Sequence, residues 1–173
     1  DEIGGILWFG IDDAAQTVYY PFYCGHNQVP NEMAIGNGDL LTFSWTSAFW
    51  IHNWVSNMVY TRYSDMSIEM KKVQSSLESS HFTSQSNIEE KASEYYAQSK
   101  QKAVEYLTDY TNNLVTNGLA RWKQLGEYLM VKYIDGVIKP EENGKFKRDQ
   151  YGQPDNPIRP GYSNEYYQKI IDQ

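Results

Sequence analysis

The residues of this sequence that are best suited to chemistry are one cysteine and three histidines. Cys24 and His26 are two positions apart, so an extended chain would place the thiol and the imidazole on one face. Cys24 also ends an aromatic segment, where small buried thiols are common, and we favour that structural interpretation. His52 lies among aromatic and aliphatic residues and is predicted to be a packed core histidine. The spacing of His26, His52 and His81 fits no metal-binding motif, so the sequence predicts neither a metal nor another cofactor.

Two neighbouring carboxylates, Asp12 and Asp13, are candidate ligands for a cationic group such as the free amine of a peptide. Aspartate is also common in turns, because its side chain hydrogen-bonds to nearby backbone, and we favour that interpretation. Tyr23 is the third candidate for substrate binding. The acidic pair at Glu89 and Glu90 is explained by a helix N-terminus, where carboxylates are stabilised by the helix dipole.

The composition limits the partners that the chain can bind. Its 173 residues include 15 Lys and Arg against 22 Asp and Glu, which gives a formal net charge of −7. Because nucleic acids and anionic membrane surfaces are bound by clustered basic residues, we expect neither as a partner. No segment reaches the roughly 18 apolar residues of a membrane span, and the chain does not begin like a signal peptide. We therefore expect a soluble protein, and its compartment stays open.

The pattern of apolar residues predicts an α+β fold in three segments. Residues 1–44 are rich in β-formers, glycine and proline, and predict a β-hairpin followed by an irregular loop. Residues 45–138 carry apolar side chains at steps of three and four, which predicts a long antiparallel helix pair. Residues 139–173 hold four of the six prolines and predict a surface tail with a short helix over 163–171.

Local signals place the elements more closely. The continuous apolar run Ile6–Phe9 predicts a strand buried on both faces, and residues 16–23 predict its partner. The first helix is predicted over 45–77 and the second from Asn87 to a stop at Gly118, joined by a serine-rich link. A third helix follows and should stop near Gly136.

Four motifs in the first part of the chain carry a resemblance to a known family. They are residues 7–14 (LWFGIDDA), 17–25 (TVYYPFYCG), 36–40 (GNGDL) and 43–50 (FSWTSAFW). Together with residues 53–63, they resemble the C-terminal portion of bacterial cysteine dipeptidases in the N-terminal nucleophile hydrolase superfamily. The resemblance covers about the first 75 residues.

The resemblance implies a hydrolase with a layered sheet, a dipeptide substrate and a cysteine nucleophile. In that superfamily the nucleophile is the first residue of the mature chain, and its own α-amino group is the base. Asp1 cannot act as that nucleophile, and Cys24 is internal. The resemblance therefore implies that the catalytic cysteine lies upstream, that the missing N-terminal half is a partner, and that this chain holds no catalytic residue.

Two other functions stay open. The chain could be a non-catalytic module that binds peptides or glycans through Trp8, Tyr19 and Tyr23. It could also be a structural helical hairpin that mediates formation of a homo-oligomer. The reading frame upstream of Asp1 discriminates between the three functions, because a mature N-terminal cysteine there would support the dipeptidase.

Overall fold

The computed structural model describes residues 3–172, and these form the predicted α+β fold. Asp1, whose side chain cannot act as the N-terminal nucleophile, lies outside the described residues. The chain divides into two compact units, residues 1–126 and 127–173. Within 3–172, no helix is both long and apolar enough to cross a membrane. The division into 1–44, 45–138 and 139–173 stays a prediction about domain organisation.

The first unit begins with an antiparallel hairpin of β1 (Ile6–Phe9) and β2 (Tyr20–Tyr23). β2 is shorter than predicted, because Thr17 belongs to the turn that connects the two strands. The Thr17 hydroxyl accepts a hydrogen bond from the backbone N–H of Ile11 at 2.8 Å. The prediction that β1 is buried on both faces is wrong for the described chain. Leu7 and Phe9 are 61% and 45% exposed, so one face of the strand is open.

Three helices follow, and their boundaries differ from the predicted ones. They are α1 (Ala48–Thr61), α2 (Tyr63–Gln98) and α3 (Lys100–Tyr133). Backbone breaks at Arg62 and Ser99 separate them. The predicted serine-rich link over 78–86 is wrong, because this segment is helical. Its His81 is buried and its Nδ1 lies 3.0 Å from the carbonyl oxygen of Tyr19, so tertiary contacts hold the segment against the hairpin.

Helices α2 and α3 run antiparallel on either side of the break at Ser99. The rings of Tyr95 and Tyr106 are 5.2 Å apart, and the hydroxyls of Ser84 and Tyr110 are 2.8 Å apart. The predicted helix stop at Gly118 is wrong, because α3 continues through it. This glycine has a packing role instead, since a Cβ there would overlap the hydroxyl of Tyr20.

The core of the first unit lies between the hairpin and the helices. Its His52 is fully buried and stacks on Trp122, with ring centroids 5.3 Å apart, which confirms the predicted core histidine. The aliphatic and sulfur-containing side chains that are fully buried include Val18, Val55, Val59, Met70, Leu107 and Val115.

The second unit starts with the last turns of α3 and a short 3₁₀ helix, Ile134–Gly136, close to the predicted stop. A small hairpin, β3 (Glu141–Glu142) and β4 (Lys145–Phe146), was not expected from the sequence. It is tied to α3 by Lys132, whose ammonium donates to Glu141 at 2.6 Å. The predicted short helix is confirmed as α4 (Asn164–Ile171), where the Ser163 side chain accepts the N–H of Tyr166.

Candidate functional site

The acidic turn, Asp12 and Asp13, lies between β1 and β2 and faces α1. The Asp13 carboxylate accepts hydrogen bonds from the Tyr60 hydroxyl, from the backbone N–H of Ala15 at 2.8 Å, and from the side chain of Gln16. The Tyr60 hydrogen bond is the main reason that the pKa of Asp13 lies below its ordinary value. Asp13 therefore stabilises the turn by hydrogen bonding, as is typical of aspartate in turns.

Asp12 is the more accessible of the two carboxylates. It has a left-handed backbone, with φ of 65°, and its side chain is exposed. The amide of Asn53 on α1 donates to it at 3.3 Å. A charged group on a bound molecule could reach Asp12 from solvent.

Tyr23 lies at the other end of the hairpin. It pairs with Ile6, whereas the acidic turn follows the end at which Phe9 pairs with Tyr20. Three residues of strand separate the two ends by about 10 Å. Tyr23 is buried against Ala92 and Leu107, and burial, with the nearby Glu89 carboxylate, raises the pKa of its hydroxyl. The structure thus brings Asp12 and Asp13 together with α1 and leaves Tyr23 in the core.

Cys24 and His26 follow the hairpin in a turn. The prediction that Cys24 is buried is wrong, since its side chain is exposed, and its backbone N–H donates to Gly5 at 2.9 Å. The imidazole of His26 packs edge-on against Phe22, and its Nε2 lies 3.2 Å from Oδ1 of Asn112. The histidine side chain is therefore engaged with α3. Across residues 3–172, no three His, Cys, Asp or Glu side chains are grouped so that they could hold a metal ion.

A cleft of about 420 Å³ opens beside the Phe9 end of the hairpin. Four segments line it: Phe9 and Ile11; Glu32, Met33 and Ala34; Asn37, Gly38, Asp39 and Leu40; and Ser47, Ala48 and Phe49. The walls are mainly apolar, with two carboxylates among them. This volume and composition are typical of sites that bind small molecules.

The loop wall of the cleft is held by the amide of Asn37. Its Nδ2 donates to the carbonyl oxygens of Asn31 and Thr46 at 3.1 and 2.9 Å, and its Oδ1 accepts from the hydroxyls of Ser44 and Thr46 at 2.8 Å each. One side chain thus joins the short 3₁₀ helix Asn31–Met33 to the segment that leads into α1.

The loop that contains residues 36–42 turns back on itself, with Asp39 and Thr42 joined by backbone hydrogen bonds, and it is anchored on α1. The indole of Trp50 donates to the carbonyl oxygens of Asp39 and Thr42 at 3.0 and 2.9 Å. Gly38 has φ of +82°, and a Cβ there would come within 2.8 Å of the Thr42 oxygen. Glycine is therefore required at this position for conformation and for space.

Two carboxylates give the cleft its negative charge. Asp39 accepts the backbone N–H of Leu41 at 2.8 Å, and this bond, with those from Thr42, lowers the pKa of Asp39. Glu32 accepts the hydroxyl of Thr116 at 2.8 Å, which ties the 3₁₀ helix to α3. The lining residues include neither cysteine nor histidine. The cleft can therefore bind an apolar group beside a cation, and it offers no thiol nucleophile.

Glu32 and Asp39 were not predicted from the sequence as site residues. The glycines beside Asp39 indicate a turn, and nothing in their spacing shows that the turn meets β1 and α1. The cleft is formed by segments up to 40 residues apart, from Phe9 to Phe49, so it depends on tertiary packing.

Comparison with known families finds a match in the first part of the chain. The model of Peptidase family C69 matches residues 1–76, which confirms the resemblance over that part of the chain. The matched region contains the hairpin, α1, the beginning of α2 and every residue that lines the cleft. No curated protein and no solved structure matches the chain.

Proposed function

We propose that the protein is a peptidase and that this chain is the C-terminal part of a cysteine dipeptidase. The observation that carries the proposal is the match of residues 1–76 to Peptidase family C69. The motifs that resemble cysteine dipeptidases lie in the same residues. The family match supports a peptide as the substrate. The narrower inferences, that the substrate is a dipeptide and that the nucleophile is a cysteine, rest on the resemblance of the sequence motifs to cysteine dipeptidases.

The reaction would use a cysteine at the mature N-terminus, upstream of this chain. Its α-amino group has an ordinary pKa near 8 and can accept the thiol proton near neutral pH. The thiolate would attack the peptide carbonyl, the amine product would leave with a proton, and water would hydrolyse the thioester. Cys24 does not fit this role, because its nitrogen is a backbone amide that donates to Gly5 and is not basic.

This chain would supply part of the substrate-binding wall. The apolar cleft beside Phe9 would hold a dipeptide side chain, while Glu32 and Asp39 would attract the peptide ammonium. Among the residues predicted from sequence, Asp12 is accessible for the same purpose. Asp13 and Tyr23 would act indirectly, by fixing the turn and the hairpin.

A binding or oligomerisation role is the alternative function. It is favoured by exposed apolar side chains in the matched region, where Leu7, Leu40 and Leu41 are open to solvent. Such side chains often mark surfaces that contact another protein.

Activity assays discriminate between these functions. The 173-residue chain and the longer product of its reading frame, including any upstream residues, are incubated with a dipeptide panel, and released amino acids are measured. We expect hydrolysis by the longer product, loss of activity when its N-terminal cysteine becomes alanine, and full activity in Cys24→Ala.

Two results would contradict the proposal. Thiol-dependent turnover by the 173-residue chain that disappears in Cys24→Ala would place the nucleophile within this chain. Failure of the longer product to hydrolyse any peptide would favour the binding or structural role.

The contribution of the cleft is tested on the longer product with Glu32→Gln and Asp39→Asn. We expect each change to raise KM with little change in kcat, because the charges contact the substrate away from the reacting carbonyl. Glu142→Gln is the matched control, since it removes an exposed carboxylate of the β3–β4 hairpin.

A further inference from the structure

Glu32 lines a second, smaller pocket in addition to the cleft. This second pocket has a volume of about 180 Å³, and its walls include Glu32, Ile51 of α1 and Lys123 of α3. Because a water molecule takes about 30 Å³ of liquid, the space holds about six waters or one small organic molecule. All of its lining residues belong to the first compact unit.

One face of α3 forms a wall of the second pocket. Thr116, Leu119, Ala120 and Lys123 line the pocket, and their spacing of three and four residues places them on the same side of a helix. The short side chain of Ala120 leaves space in this wall. The four residues lie outside residues 1–76, so the match to Peptidase family C69 says nothing about this wall.

Two opposite charges are held at the second pocket. The Lys123 ammonium lies over the ring of Trp45, 5.2 Å from its centroid, and Trp45 also lines the pocket. The Glu32 carboxylate accepts the hydroxyl of Thr116 at 2.8 Å, and Thr116 lines the pocket as well. Each charged group is therefore located by a contact with another residue of the pocket wall.

The two charges do not neutralise each other. Lys123 and Glu32 form no ion pair, and among the described residues neither is paired with another charged side chain. The wall also contains Ile51 and Leu119, both buried, which provide an apolar surface. A molecule that matches the pocket carries a carboxylate, an ammonium and an apolar group, since charged groups form the strongest hydrogen bonds with partners of opposite charge.

We propose that the second pocket binds a free α-amino acid with an apolar side chain. The carboxylate of the amino acid accepts hydrogen bonds from Lys123, and its ammonium donates to Glu32. Its side chain packs against Ile51 and Leu119. An α-amino acid carries both charges on one carbon atom, so it can contact both groups within a pocket of this volume. The inference comes from the pocket alone and does not rest on the proposed peptidase activity.

Calorimetric titration of the 173-residue chain with L-leucine tests the chemistry of the ligand. We expect saturable binding at one site per chain. Leucinamide lacks the carboxylate and N-acetylleucine lacks the ammonium, and each should bind about ten-fold more weakly or worse, because a hydrogen bond between charged groups is lost. Absence of saturable binding by leucine overturns the proposal, and so does equal binding of all three compounds.

Lys123→Gln tests whether leucine binds at α3. We expect binding to weaken by about ten-fold or more. Lys71→Gln, which removes an exposed ammonium from α2, is the matched control and should bind like the parent. Asp39→Asn should also bind like the parent, because Asp39 lines the cleft and does not line the second pocket. Unchanged binding in Lys123→Gln, or weakened binding in Asp39→Asn, would overturn the assignment to this pocket.

Ala120→Leu tests the space in the pocket and keeps both charges. The larger side chain takes up part of the volume, so we expect leucine binding to fall by about ten-fold or more. Ala97→Leu makes the same change at an exposed position of α2 and should leave binding unchanged. Equal binding by the two variants would show that leucine does not occupy the second pocket.

Discussion

The hydroxyl of Tyr60, in the last turn of α1, donates a hydrogen bond to the carboxylate of Asp13 in the turn after β1. The two residues are 47 positions apart, and the bond fastens the hairpin to the helix. The same contact lowers the pKa of Asp13 and raises the pKa of Tyr60. This bond is the largest cause of both shifts, since it requires a charged carboxylate and a neutral hydroxyl.

Stability should therefore depend on pH through Asp13. The folded-state pKa of Asp13 lies below the ordinary value of 3.8. The stabilisation that the charged Asp13 carboxylate gives to the folded state is therefore fully present above pH 3.8. It is lost as the pH falls through the folded-state pKa. We expect Asp13→Asn to be less stable than the parent at pH 7 and to show a shallower loss of stability below pH 4, measured by denaturant unfolding across pH.

Tyr60→Phe checks the cause of this effect. It removes the largest contribution to the pKa shift and leaves the Ala15 and Gln16 contacts in place. Its pH profile should lie between those of the parent and Asp13→Asn. A profile identical to the parent's would contradict the role assigned to the hydrogen bond.

The shape of the cleft wall should depend on Gly38. Gly38→Ala forces an L-residue into φ of +82° and places its Cβ 2.8 Å from the Thr42 oxygen. We expect a loss of about 1–3 kcal/mol in the free energy of unfolding. Gly36→Ala is the matched control, because Gly36 also has positive φ, of +96°, and no atom lies near its Cβ position. Equal effects in the two variants would show that the close contact has no energetic importance.

The elements near these glycines show what sequence pattern can predict. Gly36 and Gly38 indicate a turn, because the backbone conformation is local and the residue type reveals it. The function of Gly118 is not local. Its type predicts a helix end, yet Tyr20 from the hairpin occupies the space that a side chain would fill, and the helix continues.

Gly118→Ala tests this interpretation. In an exposed helix the change stabilises by roughly 0.5–1 kcal/mol, but here the new Cβ overlaps the hydroxyl of Tyr20. We expect destabilisation of about 1–3 kcal/mol, as is typical of an overpacked core. Asn117→Ala, at the exposed neighbouring position on α3, should leave stability unchanged or slightly raised. A Gly118→Ala variant as stable as Asn117→Ala would disprove the packing role.

Apolar periodicity predicts the buried helix face well, because burial and spacing are linked through the helix repeat. Val55, Val59 and Met70 lie on the apolar stripe that the steps of three and four predict along residues 45–77, and all three are fully buried. The helix boundaries are predicted less well. Serine and glutamine at 78–86 weaken the pattern, and the hydrogen bond from this segment to the hairpin, through His81, cannot be read from sequence.

Removing a side chain from this buried stripe should be costly. Met70→Ala leaves a cavity at a fully buried position, and we expect a loss of about 2–5 kcal/mol. Met130→Ala, the same change at a position that is 41% exposed, should cost much less. Urea unfolding of the two variants measures the difference, and similar midpoints would mean that the predicted stripe does not form the core.

The last prediction concerns the exposed face of β1. Leu7 and Phe9 alternate along the strand and are both exposed, and a sheet face in water normally carries polar residues. We therefore expect the 173-residue chain to self-associate through this face and Leu7→Lys to shift it towards monomer. Sedimentation velocity over a wide concentration range measures the shift. Ile68→Lys, which places the same charge at an exposed position on α2, should leave association unchanged. A parent chain that stays monomeric at high concentration would show that this face is stable in water.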